Sequence, residues 1–163
     1  MLSCEPYTLR VLVVDDHELT RFSLKLALSH QENIELVGLA SNGQEAIDMV
    51  LSHYPDVIIL DLQMPIMDGW SASTQIKHIQ PNTQIIAYSS VEDPKWEDLS
   101  QTDSLDAFCK KDTATPELIA LVRELGYRAA RHWNTGINIK ERRRTTFWAP
   151  VKPIIDIGYR RTF

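Results

Sequence analysis

Short apolar, β-branched runs alternate with stretches of helical periodicity along most of this chain, and no other feature constrains its fold so tightly. The runs are 10–14, 34–40, 57–60, 83–88 and 106–109. Runs this uniformly apolar are strands buried on both faces of a parallel sheet. Their alternation with helical stretches predicts βαβ units and an α/β fold. Two runs end abruptly in acid: Val11-Leu12-Val13-Val14 in Asp15-Asp16, and Val57-Ile58-Ile59-Leu60 in Asp61. In an open α/β sheet, sites lie beyond the carboxyl ends of the strands, where strand order reverses. If these two strands are neighbours, three carboxylates converge there. Carboxylates that close repel one another and push a pKa up. A hard divalent cation with oxygen ligands relieves the repulsion, and Mg²⁺ suits such a site.

The helical stretches carry their own punctuation. Leu19, Phe22 and Leu26 recur at helical spacing as far as the polar break at 29–33. Asn42 with Glu45 three residues later reads as a capping box. Ala46, Ile47, Val50 and Leu51 give that helix its apolar stripe, and Pro55 stops it. After Pro65 and Asp68-Gly69, a third helix is predicted over Trp70 to Ile79, ended by Pro81. The weakest helix spans Glu92 to Ser104, where Ser100, Gln101, Thr102 and Asp103 are poor interior residues. Thr115-Pro116-Glu117 is a helix start, with Thr as N-cap and Pro in the first turn. Leu118, Ile119, Leu121, Val122 and Leu125 follow, and Gly126 is placed to end the helix.

At 163 residues the chain is long enough for one domain with a real core and a short extra piece. No apolar run reaches membrane-spanning length, and the N-terminus lacks a basic-then-apolar leader. The two distant cysteines make no disulfide framework; Cys109 reads as a small buried strand residue. The expected setting is cytoplasmic, with both thiols reduced. Charge divides the chain in two. Residues 1–127 hold 8 Lys+Arg against 20 Asp+Glu, a balance of −12, whereas residues 128–163 hold 9 against 2, a balance of +7. The break at Gly126-Tyr127 therefore marks a domain boundary, with a domain over 1–127 and a basic tail over 128–163.

Taken in order, these residues resemble the receiver domain of a bacterial two-component response regulator. The matching elements are Val13-Val14-Asp15-Asp16-His17, Asp61-Leu62-Gln63-Met64-Pro65 with Asp68-Gly69, Ser89 closing the fourth strand and Lys111 closing the fifth. Lys111-Asp112 with Thr115-Pro116-Glu117-Leu118 is most similar to receivers that usually carry a helix-turn-helix output domain. The resemblance covers about Leu9 to Gly126. It implies a flavodoxin-like, doubly wound sheet of five parallel strands in the order 2-1-3-4-5, with five helices. It makes Asp61 the phosphoacceptor, fed by a sensor histidine kinase or a phosphotransfer protein. Asp16, Asp61 and the backbone carbonyl of Gln63 would ligate Mg²⁺, with Asp15 acting through water. Lys111 would pair with Asp61 before transfer and with the phosphate after it. Ser89 and Phe108 would form the switch: the hydroxyl turns to the phosphoryl oxygen and the ring swings inward. Output would pass to a downstream protein partner or through a homodimer, and the domain would catalyse only its own phosphorylation and dephosphorylation.

Other readings compete with these. Asp15-Asp16 suits a helix N-terminus through the dipole alone. His17 follows the acid pair closely enough to approach the site but reads better as an exposed helix-start residue, and His30, His53, His78 and His132 form no metal constellation. A metal hydrolase lacks a second histidine or acid motif, and an unphosphorylated interaction module would not need the acids with Lys111. In the tail, Arg142-Arg143-Arg144 with Trp133, Phe147 and Trp148 offers phosphate contacts and stacking to nucleic acid. Against that, charge runs are usually solvated, and a helix-turn-helix needs more amphipathic helix than the tail holds.

Overall fold

The structure is a computed structural model and describes residues 7–90 and 103–133. Among these residues five strands and four helices follow one another: β1 Leu9–Val14, α1 Glu18–Ser29, β2 Ile34–Ala40, α2 Gly43–His53, β3 Val57–Leu60, α3 Gly69–Ile79, β4 Gln84–Ser89, β5 Ala107–Lys110 and α4 Thr115–Trp133. The strands make one parallel sheet in the order β2-β1-β3-β4-β5. The flavodoxin-like expectation therefore holds for the sheet. Most of the helix expected over Glu92 to Ser104 lies outside the described residues, and 103–104 form a turn.

Period-two alternation decides which helices cover which face. Val11, Val13, Val57, Ile59 and Ile86 point to one side, where Leu24 and Leu28 of α1 meet Leu118, Ile119, Val122 and Leu125 of α4. Leu12, Val14, Ile58, Leu60 and Ile85 point to the other, against Ala46, Ile47 and Val50 of α2 and Ala72 and Ile76 of α3. The central strands β1 and β3 are thus buried on both faces, which is what their unbroken apolar sequence requires. Among the described residues no helix is long and apolar enough to cross a membrane.

Local chemistry fixes the helix ends. Asn42 caps α2 by accepting from the Glu45 N–H at 3.0 Å. Glu45 completes the motif one residue early, taking the N–H and hydroxyl of Ser41. Those bonds hold its carboxyl below the usual range. Tyr54, in the left-handed region, closes α2 ahead of Pro55. Asp68 caps α3 by accepting from the Ser71 N–H at 2.8 Å. At α4 the carbonyl of Ala114 takes the first bonds, so Thr115 is already helical.

Three helical expectations need correction. On α1 the stripe Leu19, Phe22 and Leu26 faces outward and is exposed; Leu24 and Leu28 carry the packing. Leu51 on α2 is likewise exposed. A helix has more than one apolar stripe at i, i+3, i+4 spacing, and only the sheet decides which is buried. The third is Gly126, which does not end α4: the helix runs on to Trp133. Gly126 is buried, and a Cβ there would lie 2.7 Å from both methyls of Leu9. The glycine is a packing contact between helix and sheet rather than a stop.

Candidate functional site

The site is assembled by the ends of three strands and the loops that leave them. The ladder continues one residue past β1, where the Asp15 N–H donates to Ala40, and past β3, where the Asp61 N–H donates to Val14. These bonds, at 3.0 and 2.8 Å, put Asp15 and Asp61 side by side at the carboxyl edge. Lys111, just beyond β5, is tied to β4 by its N–H to the Ser89 carbonyl at 2.9 Å. From there Nζ donates to Asp61 Oδ2 at 3.0 Å and lies 2.8 Å from Asp15 Oδ2. The second distance is that of an ion pair, yet its angles are not those of a hydrogen bond, and Asp15 Oδ2 accepts none. We read that contact as Coulombic.

Asp15 and Asp61 are almost wholly buried, whereas the Asp16 side chain is partly open to solvent. Burial pushes the Asp61 carboxyl above its usual value and the charge of Asp15 adds to this, while the Gln63 N–H and Lys111 pull the other way. Burial alone would lower Lys111, but the close contacts and charges of Asp15 and Asp61 outweigh it and raise its pKa. Three carboxylates gather here with the Lys111 ammonium and the His17 ring. Asp15 Oδ2 and Asp16 Oδ1 are buried oxygens that accept no hydrogen bond. Ligand atoms from Asp15, Asp16, His17 and Asp61 all lie within 4.8 Å of one another. Excess negative charge and orphaned oxygens fit a divalent cation held by oxygen.

The remaining sequence-derived residues are placed as follows. Gln63 is exposed, and its N–H donates to Asp61 Oδ1 at 3.1 Å. Ser89 is buried at the end of β4, the strand beside β3, while Ser90 is exposed. Phe108 is half-buried opposite Ala87. It borders an open groove of about 610 Å³ shared with Leu121, Glu117 and Glu124 of α4. Asp68 is used as a helix cap and takes no part in the acid cluster. The described residues contain no cis peptide, so Lys111-Asp112 is trans. Arg142, Arg143 and Arg144 lie outside the described residues. Cys109 is buried as expected, and burial raises its thiol pKa.

Two participants were not anticipated, and a third, His17, sits closer to the acids than its helix-start reading implies. His17 is exposed as expected, but its ring lies against both acids. Arg21 donates to the Asp15 carbonyl at 2.7 Å. Tyr88 places its hydroxyl 3.3 Å from the Lys111 carbonyl and its ring centre 5.9 Å from the Lys111 ammonium. His17 and Arg21 follow the acid pair closely enough to be suspected; nothing in the strand pattern singles out Tyr88.

The loop between β3 and α3 holds this arrangement tightly. A Cβ on Gly69 would overlap the Asp61 carbonyl and the Cα of Leu62, so only glycine allows the helix to start so close to the site. Earlier in the loop, the Met67 N–H bonds the Pro65 carbonyl, closing a three-residue turn around Ile66 at φ 71°. That is the rarer, strained form of the turn, and it is unusual for a β-branched residue.

Comparison with known proteins gives a consistent answer. The family model for the response regulator receiver domain matches residues 11–123, well over half of the chain. The response regulator protein VraR of Staphylococcus aureus is 36% identical over 117 residues, 72% of this chain and 56% of that protein. The chain thus spans little more than half the length of this curated relative. Among solved structures, the receiver domain of the putative response regulator NarL from Mycobacterium tuberculosis is 31% identical with a TM-score of 0.67. That match covers 75% of this chain and 98% of the other. The response regulator domain of Thermotoga maritima CheB is 29% identical, with a TM-score of 0.66 over 74% of this chain and 97% of that one. Sheet order, acid cluster and family match agree, and the chain belongs to the response regulator receiver domain family of two-component signalling.

Proposed function

We propose that this receiver accepts a phosphoryl group on Asp61 from the phosphohistidine of a sensor histidine kinase or a phosphotransfer protein. The observation that carries the reading is the Lys111 ammonium set between the buried carboxylates of Asp61 and Asp15, beside oxygens that accept no hydrogen bond. An Asp61 oxygen attacks phosphorus, the P–N bond to the histidine breaks, and an acyl phosphate forms. Phosphoryl transfer needs little covalent help; positioning and neutralisation of charge do most of the work. Lys111 is placed to release Asp61 and follow the charge onto the phosphate. Asp16, Asp61 and the Gln63 carbonyl would hold Mg²⁺, with Asp15 behind water; when bound, the ion offsets charge on the transferring oxygens. Ser89 is the hydroxyl that answers the new phosphate, and Phe108, on the rim of the groove, is the ring that follows. The outcome is a switch in binding surface rather than turnover of a substrate, read by a downstream protein or by a second copy of the chain.

The receiver reading assigns 1–127 to the switch and 128–163 to a basic extension, whose first residues α4 carries as far as Trp133. A second reading, supported by the +7 balance of 128–163, has that segment bind nucleic acid through Arg142, Arg143 and Arg144. A DNA shift that weakens with salt and disappears on deleting 134–163 would favour it. The main test is incubation with a small phosphodonor, with and without Mg²⁺. Label that depends on Mg²⁺ and disappears in Asp61→Asn is expected; unchanged labelling of Asp61→Asn would overturn the assignment.

A further inference from the structure

We infer that Tyr88 is a positioning residue for Lys111, holding that lysine by its main chain and by its ammonium and so setting where the ammonium meets Asp61. The inference rests on the acceptor role proposed for Asp61. The chain leaves β5 through a four-residue turn, closed by the Thr113 N–H on the Lys110 carbonyl at 3.0 Å, with Lys111 and Asp112 at its centre. That bond leaves the Lys111 N–H and carbonyl unused, and β4 takes both. The Ser89 carbonyl accepts the N–H at 2.9 Å. The Tyr88 hydroxyl, one residue earlier on the strand, donates to the carbonyl at 3.3 Å, the long end for such a bond. Two successive residues of β4 thus hold the main chain of Lys111 from either side.

The same side chain meets the other end of the lysine. Its ring centre lies 5.9 Å from Nζ, within the distance at which a ring face attracts a cation. The Lys111 side chain is only 24% exposed, and that attraction strengthens as water is removed. Tyr88 also belongs to the apolar cluster between the sheet, α1 and α4, but packing alone calls for neither of its contacts with Lys111. Burial raises the Tyr88 phenol above its usual pKa, so the hydroxyl keeps the proton it donates. The consequence falls on the reaction. Asp15 and Asp61 both draw the ammonium in the resting site. On transfer the negative charge of Asp61 passes to the phosphoryl group, and Lys111 has to serve that group rather than stay with Asp15. A main chain anchored to β4 and a ring beside the ammonium narrow the positions it samples. Small misplacements of a charge-stabilising group are costly in rate.

The test compares, in the full chain, Tyr88→Phe, which keeps the ring and loses the hydroxyl, with Tyr88→Leu, which loses both. Labelling by acetyl phosphate with Mg²⁺ is followed over a range of donor concentrations. The Lys111 ammonium is followed by ¹⁵N NMR, its signal assigned with Lys111→Arg, and urea unfolding supplies the folded fraction by which rates are corrected. The maximal rate is expected to fall about twofold in Tyr88→Phe and about fivefold or more in Tyr88→Leu. The donor concentration for half-maximal rate should stay nearly unchanged, since Tyr88 acts through Lys111. The Lys111 ammonium signal should shift in the same order. A maximal rate unchanged in Tyr88→Leu, or a slower rate with the Lys111 signal unmoved, would overturn the inference while leaving Asp61 as the acceptor. If the unsubstituted chain takes no label, the acceptor assignment fails and this inference fails with it.

Discussion

The two ends of the sheet bury carboxylates in opposite ways. At the amino end, Asp56 is fully enclosed and accepts from the Tyr7 hydroxyl at 2.8 Å and the Arg10 N–H at 2.9 Å. Beside it the buried Thr83 hydroxyl bonds the Pro55 carbonyl and the Gln80 side chain. At the carboxyl end Asp15 is just as enclosed, but one of its oxygens and one of Asp16 accept no hydrogen bond, and Asp15 and Asp61 share one lysine. A satisfied buried network ties the fold together. An unsatisfied one in the same fold marks the place where a ligand or a reaction supplies what is missing.

The largest expected contrast comes from Asp61→Asn. Phosphodonor labelling should disappear, yet the urea midpoint in ion-free buffer should rise, because one of three crowded carboxylates has gone. A fall in the midpoint would mean that Asp61 holds the fold as Asp56 does, and the contrast would collapse. Asp56→Ala should do the reverse. It removes the carboxylate that the Tyr7 hydroxyl and the Arg10 N–H bond, and should destabilise the chain by about 2–3 kcal/mol in urea unfolding. The folded fraction should label normally.

Two smaller effects sharpen the comparison. Gly126→Ala should lose about 1 kcal/mol: overpacking against Leu9 costs about 1–3 kcal/mol, and better helix propensity returns up to about 1 kcal/mol. The loss should shrink in a Leu9→Val background. A gain instead would show that the Leu9 contact yields easily. At the carboxyl end, Ile66→Asn should stabilise the chain by about 1 kcal/mol, since a bulky residue in the left-handed region is strained by roughly that amount. Unfolding in urea measures the gain, and no change would mean that the turn around Ile66 holds no strain.

The parts legible in the sequence were those set by short-range rules. β2 and β3 fall on the residues that their apolar runs mark. Asn42 caps as its spacing to Glu45 suggests. The acids lie where strand-end logic puts them, and Lys111 where the family resemblance does. What the sequence left open depended on partners distant in the chain. Leu19, Phe22 and Leu26 have the right period for burial, but the sheet lies on the other side of α1. Gly126 has the composition of a helix stop, but Leu9, far away in sequence, gives it a different task. His17 was read as a helix-start residue because nothing local announces that its ring turns back onto Asp16.

Gly69 brings the first turn of α3 directly against the backbone that carries Asp61. No side chain stands between them to cushion a movement. A shift of the main chain at Asp61 would pass directly to an eleven-residue helix, which makes that helix a lever hinged at Asp61.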